Sequence, residues 1–74
     1  MNGIGWAVKQ LQNGDRVRRA AWNGKGMWLK IWTVDPDVAG MTVPYVYMFT
    51  ADGNLVPWSC SQTDLLATDW EIAA

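Results

Sequence analysis

Six tryptophans in a chain of 74 residues constrain this fold more than any other feature: Trp6, Trp22, Trp28, Trp32, Trp58 and Trp70. A chain this short buries only about 60% of the surface that its unfolded form exposes, so its core is thin. Six indoles do not fit inside such a core, and some must face a ligand or another subunit. Small domains often lean on disulfides or metals. Here Cys60 is the single cysteine, so no internal disulfide forms. One cysteine and no histidine cannot build a zinc site, so no metal or other cofactor is expected. Self-association, or an aromatic surface kept for a ligand, remains.

The chain reads as one domain over residues 1–74, without linker, repeat or low-complexity tract. Ile4, Ala7, Val8 and Leu11 form one apolar face of a short helix, with Asn2 as N-cap and Gly14 as stop. Trp6 lies off this stripe and is expected to be exposed on a monomer. Asp15 to Ala21 is predicted as a strand, with Val17 facing in; Arg19 shares that side and needs a rim position or a partner. Asn23-Gly24-Lys25-Gly26 is a hairpin turn. Met27 to Val34 is the clearest strand: Met27, Leu29 and Ile31 line one side, and Trp28, Lys30 and Trp32 the other.

Residues 35–43 are expected to form a loop. Tyr45 to Thr50 and Leu55 to Trp58 pair around Asp52-Gly53-Asn54. Ser61 to Ala67 reads as a short helix, and Trp70 to Ile72 as a closing strand with Trp70 in the core. The fold class is therefore α+β: a short N-terminal helix packed on a small, mostly antiparallel sheet, with a second short helix near the C-terminus.

The formal net charge is −1, which argues against a general binder of long nucleic acid. Arg16, Arg18, Arg19 and Lys25 nevertheless cluster against Asp15 alone. The cluster either meets a small anionic group or forms a solvated strand edge that discourages aggregation. No charged start is followed by an apolar run, so no signal peptide is expected, and no apolar stretch approaches the ~20 residues of a membrane span; the lone cysteine suits a reducing cytoplasm.

Catalytic chemistry is hard to assemble from these residues. Without histidine, Cys60 has no imidazole to activate it, and Ser59 and Ser61 are not cationic; a buried, inert thiol is expected. Asp64 and Asp69 could meet as a carboxylate pair, but nothing else points to glycoside chemistry. Gly24-Lys25-Gly26 is too short for a phosphate loop or dinucleotide fingerprint. The protein is expected to bind, and not to be an enzyme.

Two segments carry binding chemistry. Trp22-Asn23-Gly24-Lys25-Gly26-Met27-Trp28 sets two indoles, an amide and an ammonium around a glycine turn, which suits a nucleobase joined to a phosphate. An ordinary hairpin with both indoles in the core has the same pattern. In Pro57-Trp58-Ser59-Cys60-Ser61-Gln62-Thr63-Asp64, Ser61 and Asp64 fit a helix-capping box, while Gln62, Thr63 and Asp64 can present polar groups to a base or ribose.

Together with Tyr45, Thr50-Ala51-Asp52-Gly53, Leu55-Val56-Pro57-Trp58, the run Ser61 to Ala67, and Asp69-Trp70, these segments resemble the Thoeris anti-defence sponge domain family, over about Ile4 to Ile72. The resemblance implies a phage- or prophage-encoded protein in the bacterial host cytoplasm. It would sequester a cyclic ADP-ribose-type second messenger without degrading it, so that the Thoeris effector never fires. It implies that cyclic oligonucleotides are a further ligand class. It also implies a homo-oligomer, a tetramer or else a dimer, with sites between subunits. By match to the motifs, Trp22, Asn23 and Trp28 lie near the ligand, and Gln62, Thr63 and Asp64 form its polar side. Arg19 and Lys25 are candidates for the diphosphate, on charge. Trp6 and Trp32 are left for contacts between subunits. A protein-interaction module docking on a host protein through its tryptophans is the alternative.

Overall fold

A computed structural model describes residues 1–22, 25–33, 37 and 42–73. Helix α1 spans Ile4–Gln12. The strands are β1 (Val17–Arg19), β2 (Trp28–Trp32), β3 (Tyr45–Phe49), β4 (Leu55–Pro57) and β5 (Trp70–Ile72), and a second helix, α2, spans Gln62–Leu65. The strands form one sheet in the order β4-β3-β2-β1-β5, with each neighbouring pair antiparallel. The architecture is the expected α+β, with a helix near each end of the chain.

Helix α1 packs by the predicted stripe, in part. Ala7 and Leu11 are fully buried and Ile4 packs beside them, whereas Val8 is exposed. Trp6 departs from expectation: it lies against the core of its own chain. A long side chain on a helix leans back toward the N-terminus and can reach a face that a helical wheel assigns to its neighbour. Asn2 is not the N-cap. Gly3 holds that position without a side-chain bond. Asn2 instead stitches the chain start to β5: its N–H donates to the Thr68 carbonyl, its carbonyl accepts from Trp70 N–H, and its amide Nδ2 donates to the Trp70 carbonyl at 3.2 Å. Gly14, at φ +90°, ends the helix as predicted.

β1 is shorter than Asp15 to Ala21. After Arg19 the chain curls into a 3-10 turn over Ala20–Trp22. It is also not a strand edge, because β5 pairs along it through Val17↔Ile72, Arg18↔Glu71 and Arg19↔Trp70. The solvated-edge reading of its arginines is therefore corrected: β1 is an inner strand. The β3–β4 hairpin closes as read. Thr50 N–H donates to the Asn54 carbonyl, Gly53 takes φ +86°, and the Thr50 hydroxyl bonds Asp52. Val34, most of the 35–43 loop and the Asn23-Gly24 turn lie outside the described residues.

The sheet register sorts side chains onto two faces. On one, Val17 and Leu29 are opposite each other and fully buried beneath α1, with Met48, Ile31 and Val46 packed around them. Trp70 completes this core at 1% exposure. On the other face lie Trp28, Lys30 and Trp32 of β2 opposite Phe49, Tyr47 and Tyr45 of β3. Helix α1 lies on the first face, so this second face is aromatic and left uncovered by it.

Candidate ligand-binding site

Arg19 organises a polar cluster at the β1 end of the sheet. Its backbone parity turns the side chain toward the core side of the sheet, where an unpaired guanidinium would be costly. Two carboxylates meet it. Nε donates to Asp69 Oδ1 at 2.8 Å and Nη1 to Asp64 Oδ1 at 2.9 Å. The predicted need for a partner is met twice, and the two aspartates do come together, bridged by a cation and not as a free acid pair. Bonding to Asp69 and Asp64 raises the Arg19 pKa above its ordinary value, and bonding to Arg19 and to Ala21 N–H lowers that of Asp69.

Each aspartate carries further bonds. Asp69 Oδ2 accepts from Ala21 N–H at 2.9 Å, in the 3-10 turn that bears Trp22. Asp64 N–H donates to Ser61 Oγ at 3.0 Å, the expected N-cap of α2, and the Asp64 carbonyl accepts the Trp70 indole N–H at 3.2 Å. Trp22 and Trp58 both meet Trp70 edge to face, with ring centroids 5.6 and 6.0 Å away. Trp22, Arg19, Asp64 and the α2 segment thus share one neighbourhood. Gln62 and Thr63 are exposed on α2 beside it. Helix α2 is a single turn, shorter than the predicted Ser61 to Ala67.

Trp28 is elsewhere. Its indole lies on the outer face, stacked on Phe49 at 5.2 Å, with the Arg16 guanidinium 4.3 Å from its ring centroid. Trp22 and Trp28 therefore do not form one shelf within a subunit. Lys25 is exposed, and Asn23 lies outside the described residues. Of the arginine cluster, Arg18 pairs with Glu71 at 3.1 Å across β1 and β5. An exposed pair of this kind adds about 0–1 kcal/mol.

The outer face holds a concavity of about 210 Å3 lined by Trp32, Tyr45, Tyr47, Leu55, Val56 and Pro57. It contains none of the sequence-predicted ligand residues. Trp32 stacks on Tyr45 at 5.3 Å along its wall. The sequence signal for it was the Trp28-Lys30-Trp32 alternation; Tyr45, Tyr47 and Phe49 join only because the β2–β3 register puts them on the same side. Cys60 is exposed, not buried as expected. Partial desolvation, and then the Asp64 carboxylate, raise its pKa, so exposure does not make it a thiolate.

These features coincide with a sequence match along nearly the whole chain. The family model of the Thoeris anti-defense 2-like domain matches residues 2–73. The chain belongs to that family. It is also similar to Thoeris anti-defense 2 of Bacillus phage SP01, at 32% identity across an 83-residue alignment that covers 96% of this chain and 93% of the relative. Membership brings an anti-defence role with it, and the expected resemblance holds. Among the described residues, no helix is long and apolar enough to cross a membrane, and no group of three or more Cys, Asp or Glu is placed to hold a metal.

Proposed function

We propose that this protein is a phage anti-defence sponge: it binds a cyclic ADP-ribose-type signalling nucleotide and holds it intact, so that the Thoeris effector is not activated. The observation that carries this reading is membership of the Thoeris anti-defense 2-like family over residues 2–73. The chemistry of the chain agrees with it. Indoles beside cations and amides suit a nucleobase and its phosphates. Partial desolvation and the Asp64 carboxylate raise the Cys60 pKa, so nothing activates the obvious nucleophile. Sequestration needs tight binding and excess protein, not turnover.

The ligand site in this proposal joins Trp22, Asn23, Lys25, Gln62 and Thr63. Trp28 reaches the same ligand from a second copy of the chain, since its own Trp22 is across the sheet. Such an arrangement makes the protein a homo-oligomer, a tetramer or else a dimer, in the cytoplasm of the host. The aromatic face that α1 leaves open, with Leu55 63% exposed at its edge, supports self-association. Cyclic oligonucleotides are a further proposed ligand class. The same face supports one competing reading, a module that docks on a host protein.

The test is an activated Thoeris extract. Added protein should abolish effector activation, and heating the protein should release the messenger unchanged in mass. A degraded messenger makes the protein an enzyme. A messenger that stays free, together with stoichiometric capture of one host protein, favours the docking module.

A further inference from the structure

We infer that Arg19 is a positioning residue: its fork to Asp64 and Asp69 holds the α2 segment and the Trp22 turn in one fixed arrangement. The inference rests on the sponge reading in one respect only, that these two segments carry ligand side chains.

Helix α2 has little else to hold it. It is one turn long, and turns this short do not persist by themselves. It contains no buried residue, its own Leu65 is 43% exposed and Leu66 at its C-cap 76%, so apolar burial within the helix contributes little to anchoring it. Its tethers are polar. The Ser61 hydroxyl caps Asp64, the Asp64 carbonyl receives the Trp70 indole N–H, and the Asp64 carboxylate receives Arg19. Only the last of these reaches β1.

The Trp22 turn is held from the same guanidinium by another route. Arg19 Nε fixes Asp69, and the other oxygen of Asp69 accepts from Ala21 N–H. An unbroken line of bonds therefore runs from Ser61 through Asp64, Arg19 and Asp69 to Ala21. The side chains of Arg19 and Asp64 are only 14% and 15% exposed, so water competes weakly for their bond. A lysine keeps the charge but not the planar fork, and cannot hold both carboxylates in this geometry. A site whose halves are already in register loses less freedom on binding.

The full chain is compared with Arg19→Lys and Asp64→Asn by amide hydrogen exchange, by the circular dichroism of the coupled Trp22 and Trp70 indoles, and by calorimetric titration with cyclic ADP-ribose. Both variants should keep wild-type protection in β2 and β3. Amides 61–66 should exchange about ten-fold faster, the indole signal should fall, and affinity should drop about ten-fold. Wild-type exchange over 61–66 with an unchanged indole signal overturns the inference. So does loss of protection in β2 and β3 together with 61–66, because Arg19 then supports the whole fold and positions nothing in particular. If the wild-type protein binds no cyclic ADP-ribose while exchange and dichroism change as described, the fork stands and the sponge reading falls.

Discussion

Trp22 and Trp28 stand only six positions apart in the chain and lie on opposite sides of the sheet. Trp22 meets buried Trp70 edge to face, and Trp28 stacks on Phe49 on the outer face. The 3-10 turn at Ala20–Trp22 causes the split, because it breaks strand alternation before β2 begins. Substitutions at the two positions should therefore act differently. Trp22→Ala should weaken nucleotide binding with the subunit count unchanged. Trp28→Ala should lower the subunit count in a native mass spectrum and weaken binding with it. Identical effects on both measurements would count against a site completed by a second copy.

Trp70 supports the core from its centre. It is 1% exposed, lies between two indoles, and donates its N–H to Asp64. Trp70→Ala should cost about 3–5 kcal/mol in chemical denaturation. For a domain this small that is most of its stability. A silent substitution would mean that the core is elsewhere.

Thr63 is exposed on α2 and makes no side-chain bond among the described residues. Thr63→Ala should leave the unfolding free energy within about 0.5 kcal/mol of wild type. Nucleotide affinity should fall. A change in stability without a change in affinity would move Thr63 from the ligand to the scaffold.

Acid should loosen the Arg19 cluster, and the sign follows from Asp69. Its folded pKa lies below the unfolded value of 3.8. The stability it contributes is present above the unfolded value and is lost as pH falls through the folded one. Arg19 stays protonated throughout, since its own pKa is raised. The melting temperature should fall on going from about pH 5 to about pH 2, and the fall should be smaller in Asp69→Asn. An equal fall in both proteins would assign the acid sensitivity to other carboxylates.

Cys60 is accessible but protonated. Iodoacetamide should modify it more slowly than it modifies glutathione at neutral pH, as the raised pKa requires. Nucleotide binding should survive the modification. Faster labelling than glutathione would indicate an activated thiol and revive a catalytic reading.

Much of the fold was legible in the residues. Leu29 and Ile31 alternating with Trp28, Lys30 and Trp32 placed β2 and both of its faces correctly, because a period of two leaves no freedom once one face is buried. Ser61 as the cap of α2, Gly14 as the stop of α1 and Trp70 in the core were legible for equally local reasons. Long-range pairing was not. Nothing near Arg18 or Arg19 announces that β5 arrives alongside β1, so an inner strand read as an edge. The carboxylates that neutralise Arg19 lie 45 and 50 residues away in the chain. The same blindness hid the separation of Trp22 from Trp28, which depends on three residues curling where strand alternation was expected. Cys60 was misjudged because type alone favours burial for cysteine, while its place between the β4 edge and a one-turn helix leaves it open.

The most direct test of binding without turnover is a native mass spectrum of the protein purified from cells that make the Thoeris messenger. The account predicts an oligomer carrying the intact messenger at a fixed ratio to subunits, with that mass unchanged after prolonged incubation. A monomer without added mass, or an oligomer whose bound mass converts with time to that of a cleaved nucleotide, would contradict it.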